Sequence, residues 1–477
     1  MRQPKLLRLD DVLEDFRSSP RAYLGQPVSA DKETYVHTVG NRRTVDPAIT
    51  FRRALNCLRS SSYPIRWSFV EDQLVPHVNV CARIDQVPRQ HRLGHMCYGK
   101  GADLVHALAS AACETLERIT TWPQEGEMFI TVSRKELAMA GVPALEPSSF
   151  PISNVATSHN PTYNERVSLR WVPGWSLLEN ELILVPRLAT HLLPVDDVSE
   201  IVLDNRANGT AAGNTPAEAA VHGLCELIER DAVCIFTCHM LPARNIDPAS
   251  IRNPLAVALY RRFVDAGLQV ILKDFTTDVR VPVIYALAFD PSRSAARGPT
   301  HAWGCGCDLE PELAVLRALT ELSQDRATAT ALMRRVRVTN LKDNQAPLEL
   351  VEYIGRCYPG SEARFAHLRR PGATVSLQDL RFHNNLPTNP TEELSVLCER
   401  VHFAGLNRVV AVNLTCFGSE ISVVRIIAPE FEFLPWVAAG TRDGRKGRLA
   451  EVPHKLGFVE GVDYRCNAGV AEANLLV

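Results

Sequence analysis

Three segments of the chain run mostly on Ala, Leu, Val and Ile, and each is broken by polar residues at one repeated spacing. ALASAACETLERI carries Ser110, Glu114 and Glu117; AAVHGLCELIERDA carries His222, Glu226, Glu229 and Arg230; AVLRALTELSQDR carries Arg317, Glu321 and Gln324. Positions i, i+4 and i+7 stack on one face of an α-helix. Each segment therefore predicts a largely buried helix with a single polar stripe. Thr215-Pro216-Ala217-Glu218 gives the second helix a capping box with proline at its first position. Another helix is expected over ITFRRALNCL (Ile49–Leu58), and strand-type runs include HVNVCARI, EMFITVS, RWVPGWSL, ELILVPRL, QVILKDF, VPVIYALAF, VVAVNLTCF and ISVVRIIAPEF. HAWGCGCDLEPEL reads as strand, Gly-rich turn and acidic cap ahead of the third striped helix. Asn208-Gly209 and Ala211–Asn214 read as a small-residue loop suited to close approach by a ligand, and the polar stretch around 338–390 reads as mobile. Strand–loop–helix units with strand pairs between them make an α/β (α+β) architecture, and the three matched helices suggest an internal pseudo-repeat.

Composition narrows the classes. A chain of 477 residues holds two or three domain-sized units, or one large domain with extensions. A net charge of −2 supplies no global attraction to nucleic acid, and the short basic clusters Arg42-Arg43, Arg52-Arg53 and Arg334–Arg337 read as solvated surface. The N-terminus, MRQPKLLRLDDVLEDF, lacks the apolar core of a signal peptide, and no apolar run approaches the roughly 20 residues of a membrane span. A cytoplasmic protein without membrane or nucleic-acid partners is expected. The thirteen cysteines are scattered without a CxxC pair, so most are expected to be small buried apolar residues. Cys305-x-Cys307 and Cys234-x3-Cys238-His239 lack the second ligand pair of a structural zinc site. G-x-S-x-G and H-E-x-x-H are absent, and the isolated His106 and His402 carry no assigned role.

The stripes remain the chemical signal. Carboxylates on apolar helices cannot stay ionised without nearby cations. The residues flanking Glu114 and Glu117 read as Ser and Thr, so no basic partner is expected along their own helix, unlike an ion-paired surface stripe. Five glutamates on three helices, with arginine close by, point to a site for hard cations and an anionic ligand, and Mg²⁺ with phosphates fits best. Lys100, in the tripeptide GKG, stands just before the first striped helix, whose N-terminal N–H groups favour an anion. A Walker A motif is absent.

Taken together, GKG, S-x3-E-x2-E-R, NG-x-AAGNTPAEAAVHGLCELIERDA and D-x-E-P-E-x-A-x3-R-A-L-T-E resemble a YcaO domain over roughly residues 36–432. HTVGNRRTVDPAITFRRAL further resembles the YcaO subgroup encoded beside TfuA-type proteins. The resemblance implies a YcaO-like fold of β-sheets with packed helices carrying three Glu-rich nucleotide-binding motifs. Residues 1–60 would be an N-terminal extension where the resemblance begins, 61–435 the ATP-binding catalytic domain, and 436–477 a C-terminal tail. It also implies ATP-dependent activation of a peptide backbone amide: a nucleophile adds to the carbonyl, the oxyanion is phosphorylated, and loss of phosphate leaves an azoline, a thioamide or an amidine. By motif position, Glu114, Glu117, Glu226 and Glu229 would hold Mg²⁺, while Lys100, Ser110, Asn214, Arg230, Arg317, Glu321, Gln324 and Arg326 would contact ATP. No catalytic acid, base or nucleophile is assigned.

The sequence ends CNAGVAEANLLV, with no proline after Pro453, and so departs from the PxPxP tail of many azoline-forming YcaO enzymes. That departure favours thioamide formation on a ribosomally made peptide or protein. The alternatives are an azoline-forming cyclodehydratase (thiazoline or oxazoline) and a non-catalytic YcaO-like nucleotide-binding scaffold. A carboxylate metalloenzyme without ATP would want Glu-x2-His pairs, which the striped helices lack. No separate leader-peptide-binding domain is read ahead of residue 36, so a partner protein of the TfuA type is expected to deliver the precursor peptide. By family habit the protein is expected to be a homodimer.

Overall fold

In chain order the described residues begin with a hairpin, β1 (Val36–Thr38) and β2 (Asn41–Arg43), then α1 (Pro47–Ser60) and strands β3 (Ile65–Val70), β4 (Asn79–Ile84) and β5 (Met96–Lys100). The first striped helix, α2 (Leu104–Thr120), follows, then β6 (Ile130–Ser133), α3 (Arg134–Met139), β7 (Ser168–Ser176), β8 (Glu181–Pro186) and β9 (Thr210–Gly213). The second striped helix is α4 (Pro216–Cys238), followed by β10 (Arg244–Ile246), α5 (Pro254–Asp265), β11 (Gln269–Asp274), β12 (Val283–Phe289) and β13 (His301–Cys307). The third is α6 (Pro311–Val338); β14 (Thr374–Val375), α7 (Pro390–Phe403), β15 (Val410–Asn413), β16 (Ser422–Ile427) and α8 (Gly447–Lys455) follow among the described residues. This computed structural model describes residues 33–85, 96–122, 129–150, 164–191, 208–338, 365–433 and 447–458, apart from isolated positions within them.

Three sheets carry the helices. β3-β4-β5 is antiparallel, a six-stranded antiparallel sheet runs β6-β7-β15-β16-β9 with β8 added on β7, and a five-stranded sheet runs β13-β12-β11-β10-β14. Its β10/β14 pair is the one parallel pairing among the described strands. α2 packs on β4 and β5 and reaches β9; α4 packs on β9 and β16; α6 packs on β12 and β13 and also touches β5. The mixed α/β architecture expected from the sequence is the one observed.

Each striped helix follows its strand directly and lies close upon it. A Cβ on Gly99 of β5 would stand 1.9 Å from the Ala107 carbonyl oxygen, one on Gly213 of β9 2.5 Å from the Ala219 nitrogen, and one on Gly306 of β13 2.2 Å from the Ala314 carbonyl oxygen. This corrects two expectations. Ala211–Gly213 belong to β9 rather than to a loop, and Gly304 and Gly306 lie within β13 rather than in a turn. Their smallness admits a helix backbone. Alternation along β13 then sorts the rest: Trp303, Cys305 and Cys307 face the core around α4, while the glycines face α6. Phe236, Phe275, Tyr285 and Trp303 form a continuous ring stack there, with centroids 4.5, 4.8 and 5.6 Å apart.

The expected mobile stretch is also revised. Part of it, 339–364, lies outside the described residues, but from 365 onward the chain is built in: β14 pairs with β10, and Leu377 and Leu380 fill the core beneath α5 and α6. Those two leucines override a polar local composition. Beyond β16, α8 is fixed to the rest by buried Arg448, which donates to Asp231 on α4 and to Asp278, both at 2.8 Å. No helix among the described residues is long and apolar enough to cross a membrane.

Candidate functional site

On α2, α4 and α6 the polar stripes are the partly open positions of otherwise buried helices. Ser110, Glu114, Glu117, His222, Glu226, Arg230, Arg317, Glu321 and Gln324 are all half-buried, and Glu229 is buried. Strand edges orient the carboxylates. β5 and β9 each end a sheet, and their outward N–H groups need acceptors. Glu114 accepts from the Tyr98 N–H at 2.9 Å, Glu117 crosses from α2 to accept from the Ala212 N–H at 2.7 Å, and Glu226 accepts from the Gly209 N–H at 2.8 Å. Lys100, at the end of β5, pairs with Glu321 of α6. The first unit is thus tied to both others, and the stripes share one space.

Electrostatics act on the carboxyls as a group. Burial pushes the Glu117 carboxyl up to about 8, with Glu114 and Glu226 adding to the rise. Glu229 is raised to about 7 by burial and by Glu321 and Glu226, against the pull of Arg230 and Lys100. Glu114 is raised by burial, with Arg118 opposing. These carboxyls are held above the ordinary glutamate range, and the atoms the stripes present are hard carboxylate oxygens. Among the described residues no three His, Cys, Asp or Glu side chains already converge as a cage. Hard carboxylate oxygens are the donors Mg²⁺ takes, together with waters and phosphate oxygens.

The cations come from several elements. Arg118 lies 3.4 Å from Glu114, four residues along the same helix, which corrects the expectation that α2 offers its glutamates no basic partner. Arg230 lies 3.5 Å from Glu229 and 3.8 Å from Glu226. Arg317 pairs with Asp308 at 3.2 Å, and Asp308 also receives Arg42 at 3.2 Å. The β1–β2 hairpin docks at the start of α4 through buried Glu218, which accepts from the Thr44 N–H and hydroxyl at 2.8 Å and lies 3.7 Å from Arg43.

Other expected site residues stand differently. Asn214 donates to Glu218 at 2.9 Å and accepts from Thr50 at 3.1 Å, so its amide braces the β9–α4 junction. Arg326, 1% exposed, pairs with Asp72 and donates to the carbonyl oxygens of Pro299 and Arg297. Its guanidinium braces the middle of α6 against Asp72 and the 297–299 backbone and is not among the groups the stripes bring together. Gln324 has its Oε1 shut off from solvent without a partner among the described residues. Cys305 and Cys307 are core residues, their thiols pushed well above the ordinary range by burial, and most described cysteines are buried.

Sequence reasoning missed three cations: Arg118, Arg43 and Arg425. The shared E-x2-E-R of α2 and α4 could have found Arg118 as it found Arg230. Arg425 on β16 is 5% exposed and donates to Thr210 at 2.7 Å; burial brings it down to about 10, with Glu226 opposing. An arginine inside the apolar run SVVRII was its signal.

Carboxylates from three helices, interleaved with arginine and lysine side chains, make this the candidate site. The chain belongs to the YcaO family: the family profile, described as YcaO cyclodehydratase, ATP- and Mg²⁺-binding, matches residues 98–432. An uncharacterized protein in the tfuA 3′ region of Rhizobium leguminosarum bv. trifolii is 29% identical over 363 residues, covering 72% of this chain and 78% of that one. YcaO from Methanopyrus kandleri, solved with AMPPCP and Mg²⁺, is similar with a TM-score of 0.64 and 23% identity, over 86% of this chain and 97% of that one. A heterocyclase solved in complex with substrate and cofactor has a TM-score of 0.73 and 22% identity over 92% of this chain, which spans only 58% of that protein's length. These likenesses show the fold, and the profile adds the ATP- and Mg²⁺-binding domain.

Proposed function

We propose that the protein uses ATP to activate a backbone amide of a ribosomally made peptide or protein and that its product is a thioamide. The observation that carries the first half is the convergence of Glu114, Glu117, Glu226, Glu229 and Glu321 with Lys100, Arg118 and Arg230. The thioamide branch is supported by the relative in a tfuA 3′ region, which also favours a TfuA-type partner protein. Azoline formation is the second reading, favoured by the heterocyclase fold. We place the protein in the cytoplasm as a homodimer, with residues 61–435 as the catalytic domain.

Glu114, Glu117, Glu226 and Glu229 would hold Mg²⁺. An amide oxygen is a very poor leaving group, and bound MgATP supplies the phosphoryl group that makes it a good one. The side chains position and neutralise. Lys100, Arg230 and Arg118 offset negative charge as it develops between ligand and stripes. Ser110, Arg317, Glu321 and Gln324 orient the nucleotide along α2 and α6, whereas Asn214 and Arg326 act by bracing the backbone around it. The attacking sulfur in this reading comes from outside as a sulfide-type nucleophile; Cys305 and Cys307 lie in the core, where burial pushes their thiols well above the ordinary range.

Co-expression with the precursor peptide and intact-mass measurement tests the reading. A thioamide adds the mass difference between sulfur and oxygen and requires a sulfur source; an azoline loses one water and does not. Cys305→Ser and Cys307→Ser should leave sulfide-supported activity in place. A product lighter by one water would overturn the thioamide branch, and full activity of this chain alone on a leaderless peptide would overturn the partner.

A further inference from the structure

One stripe residue has no part in the scheme above. His222 lies on α4 one turn after Glu218 and one turn before Glu226. Its Nδ1 is shut off from solvent and has no hydrogen-bond partner among the described residues. The charges of Arg43 on β2, Arg317 on α6 and Lys100 at the end of β5 act on the ring, each from a different element. Each has its own carboxylate, Glu218, Glu321 and Asp308 respectively. The imidazole is therefore a neutral ring within the field of three cations. Burial first, and the three cations second, keep its proton off, since protonation would add a fourth positive charge to a confined space. A ring used only for packing could be a leucine and would leave no polar atom stranded. Nδ1 is closed to any ligand, but Nε2 is not shut off from solvent and makes no hydrogen bond to a described residue, so it is the nitrogen left for an anion entering the field of those cations.

We propose that His222 is a ligand-binding residue of this site, hydrogen-bonding a phosphoryl oxygen of the nucleotide's polyphosphate chain. The proposal rests on the nucleotide reading given above and adds to it a contact from the middle of α4. The neutral ring carries one N–H, so it can donate to a phosphoryl oxygen while the three cations balance the charge. A peptide carbonyl is the competing occupant.

Full-length protein labelled with ¹⁵N at histidine, with the His222 signal assigned from its absence in a His222→Gln variant whose other histidine signals are unmoved, separates the cases in the wild-type chain. Mg²⁺·AMPPCP and Mg²⁺·tripolyphosphate should both move the His222 ring resonances, and adenosine should not. By calorimetry, His222→Leu should weaken Mg²⁺·AMPPCP binding by about tenfold or more, the scale of a hydrogen bond to a charged group, while His222→Gln retains most of the affinity. A ring signal that stays fixed in protein that does bind Mg²⁺·AMPPCP, or that moves only with precursor peptide, overturns the role of His222 and leaves the nucleotide site standing. Wild-type protein that binds no Mg²⁺·AMPPCP overturns the nucleotide reading and this inference with it.

Discussion

Glu117 and Glu229 hold protons in the folded chain at pH values where an unfolded glutamate has lost them, because burial and neighbouring carboxylates raise both. Between the ordinary glutamate value and about 8 the folded protein therefore binds more protons than the unfolded one, and stability falls as pH rises through that window. Nucleotide-free protein should lose Tm as pH rises from the ordinary glutamate value to about 8, and Mg²⁺·AMPPCP should flatten the slope in a thermal scan. Binding should also release protons, seen as a calorimetric enthalpy that depends on the buffer. Glu117→Gln should cut peptide modification by about 10²-fold or more through loss of a metal ligand. Its Tm at pH 8 should match or exceed that of wild type, since a repelled carboxylate is gone; a large fall would mean that Glu117 serves structure instead. At this scale the sequence was readable where helical spacing puts like residues on one stripe. It was opaque for Arg43 and Arg425, which reach the site from strands far away in the chain, and it could not show that Asn214 and Arg326 are engaged by Glu218 and Asp72.

The repeated element is a small-residue strand with its own helix pressed onto it. Gly306→Ala would place a methyl 2.2 Å from the Ala314 carbonyl oxygen and 2.7 Å from the Ala318 nitrogen, so α6 must move. The cost should be about 1–3 kcal/mol or more in urea unfolding, as for overpacking in a tight core. Arg317 and Glu321 would move with the helix, so the affinity for nucleotide should fall as well. Unchanged stability would show that α6 can shift freely on β13. Helix and strand order were legible because apolar periodicity switches cleanly between the two types. The glycines were not, since glycine marks close approach without saying whether a ligand or a helix is the neighbour. The same limit hid β14, whose place depends on Leu377 and Leu380 finding a core built by α5 and α6.

Over the whole molecule, Arg448 joins the end of the described chain to α4. Asp231 is fully buried beside Arg230 and receives Arg448 through several hydrogen bonds. Arg448→Met should cost about 3–5 kcal/mol by stranding a buried carboxylate, whereas pairing it with Asp231→Leu should recover most of that loss. If single and double variants unfold at the same denaturant concentration, the pair does not act as a unit. Sheet topology was the least legible feature, because the pairing partners are remote in sequence. β7 lies beside β15, with Val410 opposite Ser176, and β9 lies beside β16, with Ala212 opposite Val423. That arrangement bears on how the chain is made. When β9 leaves the ribosome its partner is roughly 200 residues from being synthesised, a delay of about 10–40 s at ordinary elongation rates. For that interval a glycine- and alanine-rich edge and the apolar flank of α4 stand uncovered on the nascent chain. Productive expression should therefore depend on trigger factor or another ribosome-associated chaperone far more than on the stability of the finished protein.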